Sequence, residues 1–214
     1  MTHVVVTRLL YKEEKDFKER LDLYKETALD CLKKQTVRNF DIAIHCNPDH
    51  AEYVRELDFI PFFMKDRSLG YRQGPYWTAY TSWSNIEGLE KYDIQTNLDS
   101  DDIITNDYIV KIQEIMKGDE SIHLHFQPKL RNHHTKEVKE SWIQYGSTKG
   151  SMFYSLYQPS KENYVFIGHD THADMWKYVD KTIFINDKTY CWLNIHGKND
   201  SSYWQKKGEK YNYN

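Results

Sequence analysis

The chain has 214 residues, enough for one full-sized domain with its own core. Its 29 Lys and Arg stand against 32 Asp and Glu, a formal net charge of −3 scattered along the sequence. That balance gives no electrostatic footprint for nucleic acid and no polybasic membrane signal, and no apolar run nears the ~20 residues that span a bilayer.

In chain order, residues 3–8 are a short β-branched run and read as a first strand, without the basic-then-apolar plan of a signal peptide. Phe17, Leu21, Tyr24, Ala28, Cys31 and Leu32 then recur at helical spacing, which predicts one amphipathic helix ending near Gln35. Residues 40–46 read as a second strand, and Asn47-Pro48-Asp49 breaks it to open a helix over 49–57. A third strand is expected at 59–63, a loop with Gly70, Gly74 and Pro75 at 64–76, a helix at 77–91 and a fourth strand at 93–98. This alternation builds a mainly parallel sheet with helices on both faces.

A further helix is expected at 107–116, after which the pattern turns strand-rich. Strands are predicted at 121–127, 137–145, 152–157, 164–167, 182–185 and 190–195, and a helix only at 171–179. No Pro-, Gly- or Ser-rich linker divides the chain. The expectation is one α/β domain over 1–205, with a nucleotide-binding half at 1–103 and an acceptor half at 104–205. Residues 206–214 read as a frayed tail or the cut edge of a longer protein. Cys31, Cys46 and Cys191 form no CxxC pair and read as buried thiols of a soluble protein in a reducing, cytoplasmic compartment.

The most informative stretch runs from Ile94 to Ile103 and holds Asp99, Asp101 and Asp102 just past the fourth strand. Open α/β sheets bind ligands outside the carboxyl ends of their strands. Three carboxylates so close repel one another unless a cation sits among them. A hard ion such as Mn²⁺ or Mg²⁺ takes one or two carboxylates plus substrate phosphates, so the cluster predicts a metal bridging the protein to a diphosphate. The bland alternative is a solvated acidic turn before the helix at 107. An EF-hand fits poorly, because the sixth loop position is not Gly and the twelfth is Val110.

These residues resemble the GT-A-fold glycosyltransferases, and most closely their rhamnosyltransferase branch. Leu-Asp-Ser-Asp-Asp at 98–102 is similar to that family's Asp-x-Asp motif. The opening Val-Val-Val-Thr-Arg, the helix ending at Leu32–Thr36 and the strand at 40–46 resemble its first Rossmann-like unit. Trp192 to Asn199 resembles its closing Trp…His-Gly-x-Asn. More loosely, the tyrosine- and lysine-rich style resembles the N-terminal glycosyltransferase domains of chlorella virus capsid-glycosylation proteins.

The resemblance implies roles by position. Thr7 and Arg8, after the first strand, and Cys46 and Asn47, after the second, would cradle base and ribose. Leu98 and Asp99 would face the nucleotide-sugar, Asp99, Asp101 and Asp102 the Mn²⁺ or Mg²⁺, and His196 would complete the metal shell. Arg72 would neutralise the diphosphate. One departure concerns the base: family-two enzymes place an Asp directly after the second strand, where this chain has His45-Cys46-Asn47.

An inverting transfer needs a general base for the acceptor hydroxyl, and Asp170 in Gly168-His169-Asp170 is the candidate, with helix capping as its plainer role. His123, His125, His133, His134, His169 and His172 complete no recognised zinc pattern, and His123 and His125 read as lining one strand face. The aromatic share of 15%, with 17 Tyr and 6 Trp, suits both a core and a sugar-binding cleft. The expected activity is transfer of a hexose, rhamnose or glucose, from a UDP- or dTDP-linked donor to a glycan or glycoprotein. A sugar-nucleotidyltransferase would carry a Gly-rich loop after the first strand, and residues 4–11 hold no Gly. A non-catalytic carbohydrate-binding relic would have no need of the acidic cluster.

Overall fold

The computed structural model describes residues 1–9, 11, 13–46, 48–55, 57, 60–63, 88–140, 153–160, 164–165, 167 and 175–195, with 48, 55 and 60–63 described through their backbone alone. Eleven strands and four α-helices lie within these residues: β1 (His3–Leu9), α1 (Glu14–Glu26), α2 (Ala28–Lys33), β2 (Asp41–Cys46), α3 (Ala51–Arg55), β3 (Ile60–Phe63) and β4 (Ile94–Asn97) come first. They are followed by β5 (Ile103–Ile104), α4 (Tyr108–Ile115), β6 (Ile122–Phe126), β7 (Lys129–Asn132), β8 (Val138–Lys139), β9 (Tyr154–Tyr157), β10 (Lys181–Ile185) and β11 (Cys191–Ile195).

Seven strands make the main sheet in the order β10-β6-β9-β4-β1-β2-β3. β1 pairs parallel with β2 and β4, and β2 parallel with β3. β9 runs antiparallel to both β4 and β6, and β10 runs parallel to β6. The mainly parallel α/β sheet expected from the sequence is therefore present, and strands from the second half of the chain extend it past β4. A smaller sheet, β5-β11-β7-β8, stands beside it.

The β-branched run of β1 is central because it is apolar on both faces. Val5 and Leu9 enter the core formed with Phe17, Leu21 and Tyr24 of α1 and Ile109 and Ile112 of α4. Val4 and Val6 enter the opposite core with Ala43, Tyr92, Tyr154, Leu156, Ile167 and Met175. The step from β1 to β2 to β3 goes one way, and β4 lies on the other flank of β1. The seam between β1 and β4 is thus the point where strand order reverses, the place at which open α/β sheets leave a crevice.

Several elements differ from the sequence expectation. The single helix expected to reach Gln35 is two, broken at Thr27, whose backbone sits at φ −119° and ψ −93°. The Thr27 hydroxyl lies 2.6 Å from the Leu23 carbonyl oxygen and 3.0 Å from that of Ser100, a side chain competing for backbone groups. β5 and β7 are strands that no alternation in the sequence announced. Residues 164, 165 and 167 pair with no strand. The Tyr164 hydroxyl instead donates to the Leu89 carbonyl at 2.6 Å, and the Ile167 N–H donates to Gln95 Oε1 at 3.0 Å. Of the helix expected at 171–179, residues 175–178 form a 3-10 turn and 171–174 lie outside the described residues. Of that at 77–91, a 3-10 turn occupies Leu89–Lys91 and 77–87 lie outside them.

Candidate functional site at the carboxyl ends of β1 and β4

The register of β1 on β4 ends at Val6 opposite Asn97. One residue further, the Leu98 N–H donates to the Val6 carbonyl at 3.1 Å and the Thr7 hydroxyl donates to the Leu98 carbonyl at 2.9 Å. Thr7 and Leu98, both buried, therefore zip the end of the seam and set where the chain leaves β4. Arg8 is half-buried and lies opposite His45 of β2. Cys46 is buried at the end of β2, its thiol pushed up to about 12 by burial, which keeps it protonated.

Past Leu98 the chain turns through Asp99, Ser100, Asp101 and Asp102, with the Asp102 N–H donating to the Asp99 carbonyl at 3.2 Å. The three carboxylates have different surroundings. Asp99 is half-exposed, with Asn97 Nδ2 at 3.4 Å from its Oδ1. Asp101 is buried, and its Oδ2 lies 2.9 Å from Arg20 Nη1 of α1. Asp102 is 3% exposed, and its Oδ1 accepts the Asn194 N–H of β11 at 3.3 Å. Because β5 pairs antiparallel with β11 through Ile103 opposite Trp192, this carboxylate carries the small sheet's ladder onward where β5 begins.

Burial, then the charges of Asp101 and Asp99, hold the Asp102 carboxyl well above the usual carboxylate range. The Asn194 N–H and the Arg20 charge oppose that shift without cancelling it. The Cys191 thiol nearby is pushed up by burial and by Asp102. The turn thus concentrates negative charge on oxygen donors, which suits a hard divalent cation. Among the described residues, no three His, Cys, Asp or Glu side chains converge as a complete metal cage. The donor set fits an ion that takes one or two carboxylates and fills its other positions from phosphate and water.

The structure therefore brings together Thr7, Leu98, Asp99, Asp101 and Asp102, with Arg8 and Cys46 at the ends of the neighbouring strands. Asn47, Arg72, Asp170 and His196 lie outside the described residues. His123 and His125 do share one face of β6, both buried, with His125 Nε2 3.1 Å from His123 Nδ1. His133 is taken up at Nδ1 by the Asn194 amide at 3.0 Å.

Sequence reasoning missed Arg20 and gave Asn194 no role. A signal for Arg20 was there: it is three residues after Phe17 and four before Tyr24, on the buried stripe of α1, where a charge needs a partner.

Comparison with known proteins places the chain as a whole. The sequence matches the family described as "Putative rhamnosyl transferase" over residues 5–208. Among curated proteins, none matches the sequence. The fold is similar to that of TarS from S. aureus. The crystal structure of TarS residues 1–349 with UDP-GlcNAc has a TM-score of 0.57 at 14% identity, covering 94% of this chain and 61% of that one. The same TarS region with UDP gives 0.56 at 13%, covering 91% and 61%, and a longer TarS structure gives 0.54 at 15%, covering 91% and 37%. This chain thus spans about three fifths of the length of the TarS 1–349 structures. At such identity the likeness speaks for the fold. The viral resemblance finds no support in these matches.

Proposed function

The chain belongs to the rhamnosyl transferase family, and from that premise we propose that it moves a hexose, rhamnose or glucose, from a UDP- or dTDP-linked donor to a glycan or glycoprotein hydroxyl. The observation that carries this reading is the acidic turn at the point where strand order reverses, between the carboxyl ends of β1 and β4. A nucleoside diphosphate needs such a crevice, and its phosphates need a counter-charge that Asp99, Asp101 and Asp102 can recruit only as a cation. TarS, similar in fold, was crystallised with UDP-GlcNAc and with UDP. That supports a nucleotide-sugar donor here.

In the proposed reaction the acceptor oxygen forms a bond to the anomeric carbon as the bond from that carbon to the diphosphate breaks. The bonding pair leaves with the diphosphate, and the acceptor's proton passes to a carboxylate, for which Asp170 is the candidate. Mn²⁺ or Mg²⁺, held by the acidic turn with His196, would supply Lewis-acid stabilisation of the leaving diphosphate. Thr7 and Leu98 fix the rim on which those carboxylates stand. Among the described residues no helix is long and apolar enough to cross a membrane, and all three cysteines are free thiols. We place the reaction in a reducing, cytoplasmic compartment.

The test is release of nucleoside diphosphate from dTDP-rhamnose and UDP-glucose in Mn²⁺. Wild type is expected to release it from one donor, and Asp99→Asn to slow that release by about a hundredfold or more, the scale on which transition-state charge stabilisation is lost. Equal release by wild type and Asp99→Asn would remove the turn from the reaction.

A further inference from the structure

The main sheet is finished differently at its two ends. At one, β3 carries Pro61, which has no N–H for a further strand to bond. At the other, β10 runs for five residues without a proline, and among the described residues no strand pairs with its outer side. The outer strands of the smaller sheet, β5 and β8, are two residues each, too short to template pairing. The Lys181 N–H donates to the Ser121 carbonyl at 3.1 Å, and the Gln127 N–H donates to the Ile185 carbonyl at 2.9 Å. The odd-numbered residues of β10 therefore bond to β6, and Thr182 turns its backbone N–H and carbonyl outward.

Apolar surface gathers at the same edge. Of the five large hydrophobic side chains exposed among the described residues, three lie in β10 or in the turn that leads into it: Trp176, Tyr178 and Phe184. The Phe184 ring stacks on the buried His125 ring at 5.2 Å between centroids, which fixes its direction. Ile183 and Ile185 are half-buried on the other face, against the core that holds α1 and α4. The sequence is balanced about Phe184: an isoleucine on either side, then Thr182 and Asn186, then the opposite charges of Lys181 and Asp187.

We propose that β10 is a self-association edge, through which two copies of this chain pair antiparallel about a two-fold axis at Phe184. In that register Phe184 meets its own copy, Ile183 meets Ile185, Thr182 meets Asn186, and Lys181 meets Asp187 of the second copy, as an isologous contact requires. Lys181 and Asp187 are both exposed, and Asp187, two residues past the strand, is within reach of a flexible lysine stem. Sliding to either neighbouring register sets Lys181 against Ile185, or Asp187 against Ile183, so charge and apolar pattern select one pairing. The contact joins two seven-stranded sheets into one. Because the two β10 strands run opposite ways, the carboxyl ends of β1 and β4 of the two copies open on opposite edges of the joined sheet. The inference stands independently of the glycosyltransferase reading.

The experiment is sedimentation of the full chain from about 1 to 100 µM, over which the mass should rise from that of one chain to that of two and stop there. The variants are Lys181→Asp, Asp187→Lys and the two together. Each single exchange sets like charges opposite each other at both ends of the paired edge and is expected to weaken association by about tenfold or more. The double exchange restores opposite charges in the same register and should return association to within about threefold of wild type. Amide exchange at residues 182–186 should slow in concentrated wild type and not in either single variant. Melting of dilute protein is expected to be alike across the set, and should one single variant fail to fold, the other and the amide exchange carry the comparison.

Wild type that stays a single chain at the highest concentration overturns the proposal, as it would if another segment or another protein covers β10. Association that ignores the single charge exchanges overturns it too, since the contact then lies elsewhere. So do a double variant as weak as the single ones and a mass that grows past two chains.

Discussion

Asp102 shows what the acidic turn costs the molecule when no cation is present. Its carboxyl is held above its unfolded value, near about 3.9, by burial and by its two acidic neighbours. Between those two values the native state binds the extra proton, so stability falls as pH rises through that window, and above the folded value the penalty is complete. Asp102→Asn keeps an oxygen for the Asn194 N–H and removes the charge. In EDTA at pH 7 it is expected to raise the melting temperature by about 2–6 °C and to change it little near pH 3. Melts across that pH range check this, and a lower melting point at pH 7 would mean that the charge is compensated in the fold. The burial that raises this carboxyl, and the partial relief it gets from Arg20 and Asn194, 82 residues before and 92 after it, could not be read from the sequence. The presence of the cluster could be read, because three Asp in four residues beside a strand are a local pattern.

At the scale of elements, a buried polar chain ties the central strands together. The Gln113 amide of α4 donates to His3 Nδ1 at 3.3 Å, which leaves the proton on Nε2 to face Thr96 Oγ1 at 2.8 Å. Thr96 Oγ1 meets Ser155 Oγ at 2.7 Å, so the chain crosses β1, β4 and β9. Burial lowers the His3 imidazole to about 3, and burial with the Arg8 charge lowers His45 likewise to about 3. Both folded values lie below the unfolded one near about 6.5, so the unfolded state gains the protons first. The stability that neutral His3 and His45 contribute is whole above pH 6.5 and lost as pH falls towards 3. His3→Gln is expected to remove about one proton's worth of that slope, leaving the share of His45. Urea unfolding at pH 7, 6, 5 and 4 measures it, and an unchanged slope would contradict the account.

Elements also mark the limit of what periodicity reveals. β1, β2, β4 and α4 follow from apolar spacing. The break at Thr27 does not, because the Ser100 carbonyl that draws its hydroxyl comes from a loop 73 residues away. β5 and β7 are short strands whose pairing with β11 is settled by tertiary placement. Gln35, expected at the end of a helix, is also a bridge to α4: its Oε1 accepts the Ile109 N–H at 3.0 Å in the first turn of that helix.

For the molecule as a whole, the proposed donor site rests on sheet order and acidic turn together, and on neither alone. The alternation of strands and helices predicts a sheet, yet it does not say that β4 settles beside β1. That neighbourhood puts the run of Asp at the point where strand order reverses, where open α/β sheets bind their ligands. The acceptor side rests on the expectation for Asp170, and the length shared with TarS is about three fifths of the TarS 1–349 structures, so acceptor chemistry belongs to the proposal. The most direct measurement is amide hydrogen exchange on the full chain, free and saturated with UDP or dTDP in Mn²⁺. Slowed exchange concentrated at residues 7–9 and 97–104, and absent when EDTA replaces Mn²⁺, is the predicted result. Slowed exchange confined to other elements, such as α1 and α3, would contradict the placement of the donor at the seam of β1 and β4.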